Sequence, residues 1–109
     1  MRDIEIYNEL AKTLLENAPV EAVIVKMRFV VQVDMSLEED GFYKFYFDYV
    51  NNNGEEQWFG IDKTGVPSVL TELSLELRKE MIEGEQGKWK EFVFSINIKE
   101  EKFSADFSY

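Results

Sequence analysis

The sequence predicts one α+β domain over residues 1–109, in which an antiparallel sheet of about five strands is covered on one face by two helices. Three observations lead to this prediction. Two segments place apolar residues every three or four positions, five segments alternate apolar and polar residues, and short turn-forming segments separate neighbouring strands. The predicted order is α-β-β-β-α-β-β, without an internal repeat or a linker.

The first helix is predicted over residues 3–17. Asp3 is expected to cap its first turn, and Pro19 is expected to end it. Its apolar positions recur at helical spacing and are Ile4, Tyr7, Leu10, Ala11, Leu14 and Leu15.

Three strands are predicted to follow as an antiparallel meander. The first covers residues 21–35, where the odd positions from Val23 onwards are apolar and the even positions include Lys26 and Arg28. The second covers residues 42–50, and the third runs from about residue 55 to residue 62. The segment NNNG at 51–54 joins them, because asparagine and glycine accept positive φ angles in tight turns.

A second helix and a closing hairpin complete the prediction. Pro67 suits the first position of a helix that reaches about residue 83. The face of this helix that is predicted to be apolar consists of Val69, Leu70, Leu73, Leu77 and Met81. In the hairpin, Phe92, Phe94, Ile96 and Ile98 alternate against Trp89, Glu91, Ser95 and Asn97, and Phe103, Ala105, Phe107 and Tyr109 alternate in the last strand.

The composition excludes most catalytic and metal-binding chemistry. The chain has no cysteine and no histidine, which removes thiolate nucleophiles, zinc–thiolate sites and imidazole bases or ligands. Adjacent acids occur at Glu38-Glu39-Asp40, Glu55-Glu56 and Glu100-Glu101, but they fall in predicted turns, where solvent keeps carboxyl groups near their ordinary pKa. We therefore predict no catalytic residue, cofactor site or metal site, and a carboxylate-dependent enzyme remains the disfavoured alternative.

The net charge favours a basic protein as the partner. The 22 acids and 12 bases give a formal charge of −10, which disfavours binding to nucleic acid or to anionic membranes and favours steered association with a basic surface. The first residues lack the apolar core of a signal peptide, and no apolar stretch is long enough to span a bilayer. We expect a soluble cytoplasmic protein.

The acidity is concentrated between residues 34 and 62, where eight acids and one base, Lys44, give −7. These acids can serve to prevent edge-to-edge aggregation of strands, or they can form a docking surface for a basic protein, and both interpretations stay open. The docking interpretation rests on Glu38, Glu39, Asp40, Glu55, Glu56 and Asp62.

A second candidate surface is the sheet face away from the helices. Strand alternation places Tyr46, Asp48, Trp58 and Trp89 on this face, together with Lys26, Arg28, Glu91 and Asn97. Tryptophan, tyrosine and arginine are the residues that most often anchor protein interfaces. The alternative is that the two tryptophans only cover the sheet or pack under a loop. An RNA-stacking sheet would need a positive surround, which this chain lacks.

Four segments carry a resemblance to a known family: IYNELA at 6–11, FYKFYFDY at 42–49, the leucine-rich helix at 70–81 and KFSADFSY at 102–109. In their type and order the chain resembles the YezG-like immunity proteins, or antitoxins, of bacterial polymorphic toxin systems. The resemblance implies a cytoplasmic protein that binds and neutralises a cognate toxin domain, often a nuclease and in some relatives an RNase of the EndoU class. Inhibition would then come from occlusion of the RNA-binding cleft. No residue-level motif is carried over.

The other function left open is a non-catalytic adaptor or small-ligand binding domain with a pocket between the helices and the sheet. The lack of an obvious polar residue among the predicted core positions argues against such a pocket. The sequence leaves the oligomeric state open.

Overall fold

The predicted fold class and element order are confirmed. The computed structural model describes residues 2–32, 42–61 and 63–109. In chain order its elements are α1 (Arg2–Asn17), β1 (Ala22–Gln32), β2 (Phe42–Asn51), β3 (Glu56–Trp58), α2 (Val66–Glu83), β4 (Glu91–Asn97) and β5 (Lys102–Ser108). Neither helix is long and apolar enough to cross a membrane.

The five strands form one antiparallel sheet in the order β3-β2-β1-β4-β5. The longest strand, β1, lies in the middle, where Met27 is opposite Phe47 on β2 and Phe94 on β4. Because directly opposed residues in an antiparallel sheet point to the same face, this register collects most aromatic residues of β2 and the phenylalanines of β4 and β5 on one side, while Tyr46 of β2 points to the other.

Both helices pack on that aromatic side. Ile6, Leu10 and Leu14 of α1 are spaced four apart, so that they form one helix face, and all three are buried. They share a single core with buried residues of α2 and of the sheet. The sheet residues of this core that are completely inaccessible are Val25, Met27, Phe29, Phe92 and Phe94. We call this side of the sheet the core face.

The helix boundaries and faces differ from the prediction in three respects. Helix α1 already includes Arg2, so Asp3 lies in the first turn, where its charge stabilises the helix dipole. Helix α2 is rotated relative to the predicted face, since Val69 is 44% exposed and Ser74 is fully buried with Leu70 and Leu77. The expectation of a core without polar residues is therefore wrong, and the Ser74 hydroxyl has no hydrogen-bond partner among the described residues.

Strand β3 is shorter than predicted, because the chain leaves the sheet after Trp58. The amide of Phe59 still donates to the Phe47 carbonyl at 3.0 Å. Phe59 and Ile61 then pack against the core, which pulls residues 59–61 away from the edge of β2. The strand is thus limited to three residues. The predicted end of β1 at residues 33–35 lies outside the described residues.

Candidate protein-binding surface

The side of the sheet opposite the helices, which we call the open face, is covered by no described element. Its residues are Ile24, Lys26, Arg28, Val30, Lys44, Tyr46, Asp48, Val50, Glu56, Trp58, Glu91, Val93, Ser95, Asn97, Lys102, Ser104, Asp106 and Ser108, as the strand register assigns them. None of these residues is buried. The open face therefore combines half-exposed aliphatic side chains with charged and aromatic ones.

Two aromatic residues project from one edge of the open face. Trp58 is 80% exposed on β3, and Tyr46 is 46% exposed on β2. Trp58 lies directly opposite Asp48, which makes Tyr46 its diagonal neighbour on the adjacent strand. The predicted placement of Tyr46, Asp48 and Trp58 on one face is confirmed. Such exposed aromatic surface is costly to leave in water and contributes strongly when a partner covers it.

Arg28 packs against Tyr46 on the open face. Its guanidinium carbon lies 5.3 Å from the centroid of the Tyr46 ring, and its Nε donates to the Glu91 carboxylate. Two residues before Arg28 on β1, Lys26 forms an ion pair with Glu56, in which Nζ and Oε1 are 3.8 Å apart. These contacts hold long cationic side chains flat against the sheet, so that they extend the surface around the aromatic pair.

The open face is electrically balanced. It carries four bases, Lys26, Arg28, Lys44 and Lys102, and four acids, Asp48, Glu56, Glu91 and Asp106. The other described acids, which outnumber the other described bases, lie outside this face. Of the acids in the predicted acidic docking surface, Glu56 also belongs to this face.

The turn after β2 positions Glu55 and Glu56 beside the aromatic pair. The Oδ1 atom of Asn51 accepts hydrogen bonds from the amides of Asn53 at 2.9 Å and Glu55 at 3.0 Å, which closes the turn. Glu56 then enters β3 opposite Val50. The structure thus brings Glu55 and Glu56 to the edge where Trp58 lies.

Four more acids belong to the predicted docking surface. Glu38, Glu39, Asp40 and Asp62 lie outside the described residues. The described residues that flank residues 33–41 are at the end of β2 opposite to the Asn51 turn. Since β2 has ten residues, these two ends are about 30 Å apart.

The predicted position of Trp89 on the open face is wrong. Trp89 is fully buried, and its ring contacts Phe29, Phe92 and Phe107 on the core side of the sheet. The Nε of Arg78 donates to the Trp89 carbonyl at 2.8 Å, which ties α2 to this segment. Trp89 belongs to the core, not to a surface that a partner can contact.

Trp89 precedes the strand, so the alternation of β4 does not apply to it. Strand β4 begins only at Glu91. Lys90 instead accepts a hydrogen bond from the Val31 amide and donates one to the Ser108 carbonyl, both at 2.8 Å. The signal that could have revealed this break is Gly87, whose φ of 100° marks a turn just before the tryptophan.

A groove of about 320 Å³ lies between the start of α1, the end of α2 and β5. It is lined by Asp3, Tyr7, Leu77, Glu80, Met81, Gln86 and Phe107. Burial, followed by the negative charge of Asp3, raises the pKa of Tyr7. This groove is the place where the alternative of a small-ligand binding domain would locate its pocket.

Among the described residues no group of three or more acidic side chains is arranged to hold a metal ion. The open face offers contact area, hydrogen-bonding groups and aromatic anchors, which are features of a binding surface. Comparison with known families and with curated proteins found no match to this chain.

Proposed function

We propose that this protein is an immunity protein that acts in the cytoplasm, where it binds and neutralises a cognate toxin domain. The observation that carries the proposal is the exposed pair Trp58 and Tyr46 on an uncovered sheet face. A partner that covers both rings would remove a large apolar area from water, at a site that cation–π and ion-pair contacts already order.

The formal charge of −10 favours a basic partner. Because the open face itself is balanced, short-range binding and long-range attraction would come from different regions of the molecule. The excess acid elsewhere would speed the approach of a basic domain, and the open face would supply the contacts that keep the complex together.

A nuclease fits the basic partner that these charges favour, since enzymes that bind RNA need a positive cleft. The resemblance to YezG-like immunity proteins supports the same partner class, with an EndoU-class RNase as one candidate. Inhibition by occlusion would place the open face over the cleft, with Glu55 and Glu56 facing its cations as the phosphates of RNA would.

The proposal predicts that a toxin domain is encoded beside this gene, and co-expression with that domain tests it. We expect the protein to restore growth of cells that produce the active toxin, and to form a one-to-one complex with a catalytically inactive toxin on size-exclusion chromatography. Growth arrest that persists despite full expression of this protein, together with the absence of a complex, would refute the function. Attention would then move to the groove beside Tyr7 and to small-molecule ligands.

A further inference from the structure

The last strand, β5, leaves one long edge of the sheet without a described neighbour. Its seven residues pair with β4 on one side only, and none of them is buried. In an edge strand, alternate backbone amides and carbonyls point away from the sheet and can bind another extended strand. By contrast, the opposite edge of the sheet ends in the three-residue β3.

The charges on β5 are not compensated inside its own sheet. Lys102 and Asp106 both lie on the open face, but their opposite residues on β4 are Asn97 and Val93. Neither charged side chain forms an ion pair with any residue in the described ranges. Ser104 lies midway between them.

This pattern is self-complementary when β5 meets a second β5 in antiparallel orientation. A two-fold axis through Ser104 places Lys102 of each copy opposite Asp106 of the other, which gives two attractive pairs. On the core face, the same register places Phe103, which is 43% exposed, opposite the small Ala105 of the second copy.

Two neighbouring registers would also keep the core faces of both sheets on the same side, but they lack this match. A centre at Ala105 pairs Lys102 with Ser108 and crowds Phe103 against Phe107, while a centre at Asp106 sets two like charges against each other. Self-pairing at Ser104 is therefore the register that both the charges and the side-chain volumes favour.

We propose that β5 pairs with β5 of a second copy of this chain, about a two-fold axis at Ser104, to form a continuous ten-stranded sheet. The inference does not depend on the toxin-binding proposal. An interface of one strand pair is smaller than the standard 1,200–2,000 Å² of stable complexes, so the dimer is weak. Its affinity increases with salt, because each copy carries a formal charge of −10 that salt screens.

Charge exchange on β5 tests the proposal by analytical ultracentrifugation of the full chain. In Lys102→Asp two acids face two acids across the axis, and in Asp106→Lys two bases face two bases. We expect each variant to raise the dimer dissociation constant about tenfold. An equimolar mixture of the two variants should restore dimerisation, because both charge pairs of the mixed dimer are attractive. The double variant Lys102→Asp/Asp106→Lys should also dimerise, because it exchanges the two charges and keeps both pairs attractive.

Lys12→Asp and Glu16→Lys are the matched controls, because they change the net charge by the same amounts at exposed positions of α1, outside β5. They are expected to dimerise within about twofold of the wild type, apart from the common effect of net charge. Circular dichroism verifies that every variant is folded. A wild type that stays monomeric at millimolar concentration, or single variants that behave like their controls, would overturn the proposal. Failure of the mixture to recover dimerisation would overturn it as well.

Discussion

At the scale of single residues, one tyrosine connects the start of the sheet to the turn beside the candidate surface. Tyr49 is buried at the end of β2, where its hydroxyl donates to the Glu21 carboxylate at 3.0 Å and lies 3.1 Å from the Oε1 of Gln57. The hydrogen bond to Glu21 raises the pKa of Tyr49, and burial and the charges of Glu21 and Glu55 raise it further. The neutral phenol is thus the form that the fold stabilises.

Tyr49→Phe should lower the unfolding free energy at pH 7, because the hydrogen bond of the hydroxyl to Glu21 is lost. Folding raises the pKa of Tyr49. The contribution of its hydroxyl to the unfolding free energy is therefore complete below the ordinary tyrosine pKa of 10.0 and is lost as the pH rises through the pKa of the folded state. Urea unfolding of wild type and variant at several pH values measures the difference.

The difference between the two proteins should therefore shrink above pH 10.0. Tyr109→Phe is the control, because Tyr109 is exposed and its hydroxyl forms no hydrogen bond with any described residue. A Tyr49→Phe effect that is constant across this pH range would show that the hydroxyl does not stabilise the fold in its neutral form.

At the scale of elements, the short hairpin of β2 and β3 sets the position of Trp58. The turn is closed by two backbone amides that donate to the Asn51 side chain. Gly54, with a φ of 80°, completes it in a conformation that strains other residues. Because β3 has only three residues, this turn is the main local restraint on the strand that carries Trp58.

Asn51→Ala should therefore lower the unfolding free energy by about 1 kcal/mol, through loss of the two hydrogen bonds to Oδ1. It should also speed amide hydrogen exchange in β3 more than in β1, which lies in the middle of the sheet. Hydrogen exchange followed by NMR measures both strands at once. Asn52→Ala, an exposed position in the same turn, is the control, and equal effects of the two substitutions would contradict this role of Asn51.

The order of these elements was predictable because their hydrophobic periods are long and unambiguous. Alternation also placed Tyr46 and Trp58 on one face correctly, since both lie inside strands. It failed for Trp89, where a turn at Gly87 separates the residue from the strand that follows. Periodicity describes a strand only as far as its ladder of hydrogen bonds extends.

The charge balance of the open face could not be predicted in the same way. Alternation assigns a residue to a face, but it does not say which strands become neighbours. The position of β4 beside β1 brings Glu91 to Arg28, and the hairpin of β2 and β3 brings Glu56 to Lys26. These two ion pairs contribute to the balance of four bases and four acids on the open face.

At the scale of the whole molecule, the net charge and the exposed aromatic pair act over different distances. The formal charge of −10 acts over distances comparable to the Debye length, about 8 Å at physiological salt, whereas Trp58 and Tyr46 act only on contact. In such an arrangement charge substitutions mainly change the association rate, and substitutions of the aromatic anchors mainly change the dissociation rate.

Reversal of Glu38, Glu39 and Asp40 to lysine should slow association with the basic partner at low salt and weaken its salt dependence, because the formal charge changes from −10 to −4, two units per substitution. Stopped-flow mixing with the inactive toxin domain gives the rate. The control reverses Glu9, Glu16 and Glu72, which are exposed on the helices and give the same net charge. An association rate at low salt that equals that of the wild type, or that is no slower than that of the control, would contradict a docking role for residues 38–40.

The most direct test of the central claim is the affinity of Trp58→Ala for the inactive toxin domain, measured by isothermal titration calorimetry beside Val69→Ala. Both wild-type side chains are exposed, at 80% and 44%, but Val69 lies on α2 and not on the open face. We expect the tryptophan variant to keep its melting temperature and to bind about 30-fold more weakly or worse, as an interface anchor does, while the valine variant binds like the wild type. A dissociation constant of Trp58→Ala within twofold of the wild type would contradict the claim that the open face is the binding surface.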